Sequence, residues 1–422
     1  MRPKILILFF FFASTAAAQT IAIRAGHLVN PANGTVTEHQ VILIKDGKIQ
    51  EIGTDLKVPS DAQLIDLSNE WISPGLMDAH THLALTAMPG GAPFESFYLK
   101  ESTAFRGFRA LKNAQDLVHA GFTTVRDVGN DANYAVEDLR RAIAMGWLDG
   151  PTILSSGKII TPFGGQSNAI PAEQGPFWRF EYIDADTPEE VRKAVRENVY
   201  YGVDVIKLVA DNNPYFYSLD EIRAAVDEAH KAGRSVAVHV IGGEAATNVI
   251  EGGVDSLEHG FYLTDAQLQR MKDKNMFLVG TDMPKSHLQA LGGAGASADP
   301  PDILAAKIID RLQRARRIGV KMAFGTDSIL EMPNRKRPDL MLDYLEVWRE
   351  AGVPPPEILR CMTTNAAELL RIDHARGAIA RGFAADIIAT PADPLSNIET
   401  LRNINFVMRD GKIIRRPRQD LR

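Results

Sequence analysis

The feature that most narrows the fold of this 422-residue chain is a repeated alternation along its middle. Short apolar runs recur at residues 76–83, 122–128, 152–160, 203–209, 235–240, 255–259, 276–280 and 320–324, and longer segments of 3.6-residue apolar period lie among them. Short runs bounded by turn residues read as strands buried on both faces, and the longer segments as amphipathic helices. Residues 187–201 open with Pro188 at the first helical position, and 218–231 open with a Ser218/Glu221 capping box. Residues 306–317 form a third such helix. Parallel strands need a crossover between them, usually a helix. Eight such units therefore predict an α/β fold built as a (β/α)8 TIM barrel. A doubly wound open sheet is the alternative, but no Gly-x-Gly-x-x-Gly follows the first strand to support it.

Both ends of the chain read differently. Strands are expected at 21–25, 41–44 and 48–52, and again at 385–389, 405–408 and 413–414. Lys45-Asp46-Gly47-Lys48-Ile49 and Arg409-Asp410-Gly411-Lys412-Ile413 are near copies, each with an Asp-Gly hairpin signal. Residues 19–72 and 376–422 are thus expected to build one small β-sandwich that brackets a barrel over 73–375. Ahead of them, Arg2 and Lys4 precede the apolar run 5–12 and then Ala16-Ala17-Ala18. This is the pattern of a secretory signal peptide over 1–18, too short to span a bilayer comfortably, with an uncleaved anchor as the weaker alternative; it implies export to the periplasm or medium with no stable membrane span after cleavage. The single cysteine, Cys361, allows no internal disulfide and lies in a helical pattern over 356–370, where it reads as a packing residue. The net charge of −6 and the lack of a basic run argue against a nucleic-acid partner.

The polar residues at the strand ends carry the chemistry, since catalytic groups of a barrel sit there. His80 and His82 are two apart, so on a strand they face the same side and can converge on a transition metal. Further ends read Arg126-Asp127, Lys207, His239, Glu258-His259 and Asp327. Each has an ordinary explanation: a histidine satisfied in the core, a lysine snorkelling to solvent, an aspartate capping the next helix. Their joint occurrence at the ends of strands 1, 4, 5, 6 and 8 is what points to a site.

This order of His-x-His, Lys, His, His and Asp on eight βα units resembles the amidohydrolase superfamily, in particular its imidazolonepropionase-like branch of dipeptidases, prolidases and ochratoxin amidases. Residues 377–382 and 385–387 are similar to that family's return to its sandwich, and Thr363-Thr364-Asn365-Ala366-Ala367 to its last barrel helix. The resemblance implies a binuclear metal-dependent hydrolase. His80, His82 and Asp327 would bind one ion and His239 and His259 the second, with zinc the default metal and manganese, cobalt or iron the alternatives; a one-metal site, as in family members lacking the lysine, is the other reading, and Lys207 favours two ions. Burial should depress the Lys207 pKa, and a neutral amine can take up CO2, so a carbamylated Lys207 would bridge the two ions. Asp327 and Lys207 are then the catalytic residues, Asp327 receiving the proton of a hydroxide that the metals activate and passing it to the leaving amine. Family likeness also implies a homo-oligomer.

The implied substrates are small amides: dipeptides or N-acyl amino acids that lose a C-terminal amino acid, including amides of the ochratoxin type. The alternatives are cyclic amides, lactones or chlorinated rings on the same fold, or a secreted binding protein on an inactive barrel, which would lack a ligand. Tyr215 and Tyr217, just past strand 4, are candidates for the substrate or for loop packing, packing being the stronger reading for Tyr215. Arg126 is a further candidate, set against a structural pairing with Asp127. Relatives often carry Gly-Gly-His after strand 3, where this chain has Gly164-Gly165-Gln166; Gln166 would then alter specificity, with His287 either compensating or lying on the surface. Arg335, Lys336 and Arg337 can meet an anion or form a solvated run. The loops 87–100, with Phe94, Phe97 and Tyr98, and 283–299 are long enough to be lids, and the aromatics suggest an apolar substrate moiety.

Overall fold

A computed structural model describes residues 19–89, 99–167, 170–212, 215–292 and 299–416. Residues 1–18, expected to be a signal peptide, the aromatics at 94–98 and part of the 283–299 loop lie outside these residues.

The barrel strands are Leu76–Thr81, Phe122–Asp127, Thr152–Ser155 continued by Ile159–Thr161, Val205–Val209, Ser235–Val240, Ser256–His259, Phe277–Val279 and Lys321–Met322. Every pair between them is parallel. The third strand, read from sequence as one run, breaks at Ser156-Gly157. Its first half pairs with Phe122–Asp127 and its second half with Val205–Val209. Gly157 permits the break because its φ is +64° and a Cβ there would meet the Tyr134 ring at 2.5 Å. Tyr182–Asp184 adds one more parallel strand beside Ile159–Thr161. The ring closes where the Ala79 N–H donates to the Phe324 carbonyl at 2.9 Å.

Helices cover the outside and bury their apolar faces on the strands. Pro188–Tyr200 is capped by Thr187, and Leu219–Lys231 carries the Ser218/Glu221 capping box. The helix expected from 306 starts earlier, at Pro301. The pattern expected over 356–370 is two helices, Pro355–Cys361 and Thr364–Leu369, and Cys361 is buried between them and the barrel. Leu117, Phe122, Val125, Ile206, Val238 and Leu257 are fully buried in one continuous core, each worth about 1.5–3 kcal/mol where the side chain is of Val, Leu, Ile or Phe size.

Both chain ends join in one seven-stranded sheet. Its order is Lys412–Arg415, Phe406–Arg409, Ile387–Thr390, Gln63–Pro74, Ile21–Asn30, Thr35–Lys45, Lys48–Gly53. The sheet curls over its own core of Ile23, Ile42, Ile44, Leu67, Ile387, Phe406 and Met408. The near-copy hairpins meet where it closes. Asp46, Gly47, Asp410 and Gly411 all have φ between +48° and +74°, the two-residue turn that suits twisted strands. A Cβ on Gly411 would stand 2.8 Å from the Gly47 Cα. Gln63–Pro74 runs straight on into the first barrel strand, so this sheet anchors the strand that carries His80.

Candidate metal centre and active site

Alternation puts Asp78 and His80 on one face of the first strand, with His82 just past its end. His82 Nε2 lies 3.2 Å from Asp327 Oδ1, and His80 Nε2 lies 3.9 Å from the same oxygen. Ligand atoms of His80, His82 and Asp327 all fall within 4.8 Å of one another. The other Asp327 oxygen is 4.0 Å from His259 Nδ1. The His259 ring stands 4.3 Å from that of His239 and 5.1 Å from that of His80. Lys207 enters from the fourth strand, 2% exposed, and its Nζ is buried with no hydrogen-bond partner among the described residues. The structure therefore gathers these six side chains at one mouth of the barrel.

Each of three imidazoles has one nitrogen held from behind. His80 Nδ1 is 2.6 Å from Glu258 Oε2, His82 Nδ1 is 2.8 Å from the Gly129 carbonyl, and His259 Nδ1 is 2.7 Å from Thr281 Oγ1. A carboxylate and a carbonyl only accept, so His80 and His82 each carry a proton on Nδ1; Nε2, directed at Asp327, is a lone pair in the neutral ring and a second N–H in the charged one. The buried His80 Nε2 has no hydrogen-bond partner among the described residues. Buried nitrogen atoms without a hydrogen bond beside a carboxylate fit a divalent transition ion, since leaving them unmet costs about 1–3 kcal/mol each.

The electrostatics agree. Burial, reinforced by the Lys207 charge, pushes His80 down to about 4 and His239 to about 3. His259 falls well below its ordinary value through burial and the neighbouring His239. Neutral imidazole is the form that binds metal. His82 is the exception: burial lowers it, but its hydrogen bond to Asp327 and that carboxylate's charge raise it on balance. Burial acts to raise Asp327, yet His80 and His82 hold it below its usual range. Burial brings Lys207 down to about 8 against the pull of Glu258 and Asp327. His259, Thr281 and Asp327 have φ of +69°, +47° and +53°, left-handed values that cost roughly 1–3 kcal/mol each and cluster at working sites.

The remaining candidates fall in several places. Arg126 is 1% exposed inside the barrel, bonded to the Ala79 carbonyl at 2.5 Å, Ser256 Oγ at 3.0 Å and Glu258 Oε1 at 2.8 Å. Its ion-pair partner is Glu258, not Asp127, and its donors are taken up in holding the carboxylate that holds His80. Tyr217 is the packed tyrosine, 1% exposed with its hydroxyl donating to the Ala185 carbonyl at 2.9 Å. Tyr215 is 68% exposed on the short hairpin after strand 4. Gln166 is exposed, and its Oε1 lies 3.4 Å from the Tyr182 hydroxyl. His287 is 1% exposed rather than on the surface, with Nε2 3.1 Å from Asp343. The 335–337 run is not simply solvated. Arg335 pairs with Asp343 and Lys336 with Asp116, while buried Arg337 donates to the His82 and Leu85 carbonyls at 2.9 and 2.7 Å.

Sequence reasoning passed over three supporting residues. Asp78 is fully buried and its Oδ1 accepts from the His80 and Thr326 amides, tying the first strand to the last; burial pushes its carboxyl up to about 7. Its place two residues before His80 was the available signal. Glu258 was read only as a strand end, and nothing in the chain's order pairs it with a histidine 178 positions away. Thr281 left no signal at all.

A model of the amidohydrolase family matches residues 71–414. The chain is 28% identical to ochratoxinase of Aspergillus niger, across 96% of this chain and 88% of that enzyme. Among solved structures it resembles an Xaa-Pro dipeptidase with methionine bound in its active site, with a TM-score of 0.83, 28% identity and coverage of 94% of this chain and 99% of that one. The A. niger ochratoxinase structure matches with a TM-score of 0.78 and 25% identity, over 96% and 99% of the two chains. With a barrel, a gathered set of metal-type donors and a family match over most of its length, the chain belongs to the amidohydrolase family of metal-dependent hydrolases acting on amide bonds.

Proposed function

We propose that this chain is a binuclear amidase that frees a C-terminal amino acid from a dipeptide or N-acyl amino acid, ochratoxin-type amides included. The observation that carries the reading is the Lys207 amine, buried among four histidines and Asp327 with no hydrogen-bond partner among the described residues. His80, His82 and Asp327 would hold one ion, and His239 and His259 the other. Bound divalent cations, zinc by the type of donor, supply Lewis acidity toward a carbonyl and lower the pKa of water.

Deprotonated Lys207 attacks CO2, forming an N–C bond and losing a proton, and the resulting carbamate offers two oxygens where the amine offered none. Asp327, the only carboxylate of the ligand set, takes the proton of the attacking water and returns it to the departing amine. Exposed aromatics on the loops after the strand ends, Phe163, Tyr215 and Phe216 among them, favour an apolar or aromatic substrate moiety. The dipeptidase and ochratoxinase likenesses support the same substrate class.

The test is a panel of dipeptides and N-acyl amino acids offered to zinc-loaded protein, with free amino acid as the readout and metal per chain measured alongside. Amino-acid release, two ions per chain, and loss of both turnover and one ion in Lys207→Ala are expected. Labelled bicarbonate should give a carbamate carbon signal that Lys207→Ala lacks. Full turnover in both Lys207→Ala and Asp327→Asn would overturn the proposal.

A further inference from the structure

The buried pair Arg311–Asp282 has no part in the chemistry above, yet it closes around one residue that touches a metal-type ligand. Thr281 follows the seventh barrel strand, is 2% exposed, and has a φ of +47°. A β-branched residue in the left-handed region is a genuine outlier. Such strain persists only where the surroundings over-determine it.

Here the surroundings act on both sides of Thr281. Arg311 Nη2 donates to the Gly280 carbonyl at 2.9 Å and pairs with Asp282 Oδ1 at 2.9 Å. Arg311 and Asp282 are 0% and 1% exposed. A Cβ on Gly280 would lie 2.0 Å from Arg311 Nη1, so the guanidinium is packed directly onto the backbone before Thr281. A buried ion pair is weak as a source of net stability because both charges are desolvated. What this one achieves is geometric: it pins residues 280 and 282 and thereby fixes the hydroxyl between them. That hydroxyl is 2.7 Å from His259 Nδ1, and His259 is itself held at a φ of +69°.

We infer that Thr281 is a positioning residue for the second ion: its Oγ1 accepts a hydrogen bond from the His259 Nδ1–H, which leaves Nε2 deprotonated and its lone pair free for that ion. The inference rests on the proposed binuclear centre. A hydroxyl can also donate, so the alternative arrangement would place the proton on Nε2 and abolish that ligand. Arg311 and Asp282 serve the same end at one remove, by holding Thr281 in its strained conformation.

The test compares full-length wild type with Thr281→Ser, Thr281→Val, Thr281→Ala and His259→Ala. The readouts are metal per chain, affinity by titration against a chelator, and the visible spectrum of the cobalt-loaded protein. Partners that orient a metal-bound histidine are typically worth 10–100-fold in affinity. Thr281→Val, which keeps the branched shape, should weaken one of two ions by about that factor and change the cobalt bands. Thr281→Ser should behave as wild type. Thr281→Ala gives the same reading should the valine variant not fold, since it has no branch to strain. Wild-type affinity and spectrum in the folded valine or alanine variant, with one ion lost from His259→Ala, would overturn the role of Thr281. Retention of both ions in His259→Ala would instead overturn the binuclear reading beneath it.

Discussion

Replacing Glu258 by glutamine separates what holds the barrel interior together from what orients a ligand. The Glu258 carboxylate is fully buried and receives Arg126 Nη2 at 2.8 Å, Ser256 Oγ at 2.5 Å and His80 Nδ1 at 2.6 Å. Burial alone would raise its pKa, but Arg126 and the hydrogen bond to His80 reverse that and hold it well below the usual range. An amide of the same shape has one accepting oxygen and one donating nitrogen, so an N–H must now face an N–H. Breaking a buried ion pair from one side costs about 3–5 kcal/mol, because Arg126 keeps its charge and loses its partner. Independently, His80 loses the acceptor that kept its proton on Nδ1, and metal affinity should fall roughly 10–100-fold. That is about 1.4–2.8 kcal/mol of binding.

The two effects part company in Arg126→Met/Glu258→Met. Swapping a whole buried pair for apolar side chains is often neutral or stabilising. The double variant should therefore recover most of the thermal stability lost by Glu258→Gln in metal-free protein, but none of the metal affinity. Differential scanning of the metal-free forms and chelator competition measure the two separately. Wild-type affinity in Glu258→Gln, or affinity that returns with stability in the double variant, would refute the argument that this carboxylate sets the His80 tautomer.

Three further outcomes are expected. Burial pushes the Cys361 thiol up to about 12, so a thiol reagent at pH 8 should label the unfolded chain once and the folded chain not at all. Gly411→Ala forces a Cβ at a φ of +73° and 2.8 Å from the Gly47 Cα; it should lower the melting temperature, with at least about 1–2 kcal/mol lost, while turnover per folded molecule is unchanged. Asp343 is the hub of His287, Arg335 and Arg402, and these outweigh burial to hold its carboxyl below the usual range. A depressed folded-state pKa contributes stability that is present above the unfolded pKa of about 3.9 and is lost as pH falls through the folded one. The part of the stability gap between wild type and Asp343→Asn that comes from this carboxyl should thus close below about pH 4, as read from denaturant midpoints.

Much of this molecule is determined locally. Apolar runs separated by amphipathic segments dictate strand and helix through side-chain periodicity, and Ser218, Thr187 and the two Asp-Gly turns mark their ends, all within a few residues of chain. The six ligand-type residues could be picked out for the same reason: each lies in or just beyond a buried strand, where a charged or metal-binding side chain is costly unless it is partnered. Contacts between distant segments carry no such local trace. Glu258 looks like any strand-end carboxylate until the barrel closes and sets it against His80 and Arg126. Arg126, Tyr217 and Arg337 look available to a substrate until folding commits their donors to backbone and carboxylate. His287 reads as a surface residue until Asp343 arrives from the far side of strand 8. Tautomers, counter-ions and strain at Thr281 depend on which atoms meet across the ring, and closure of the barrel alone decides that.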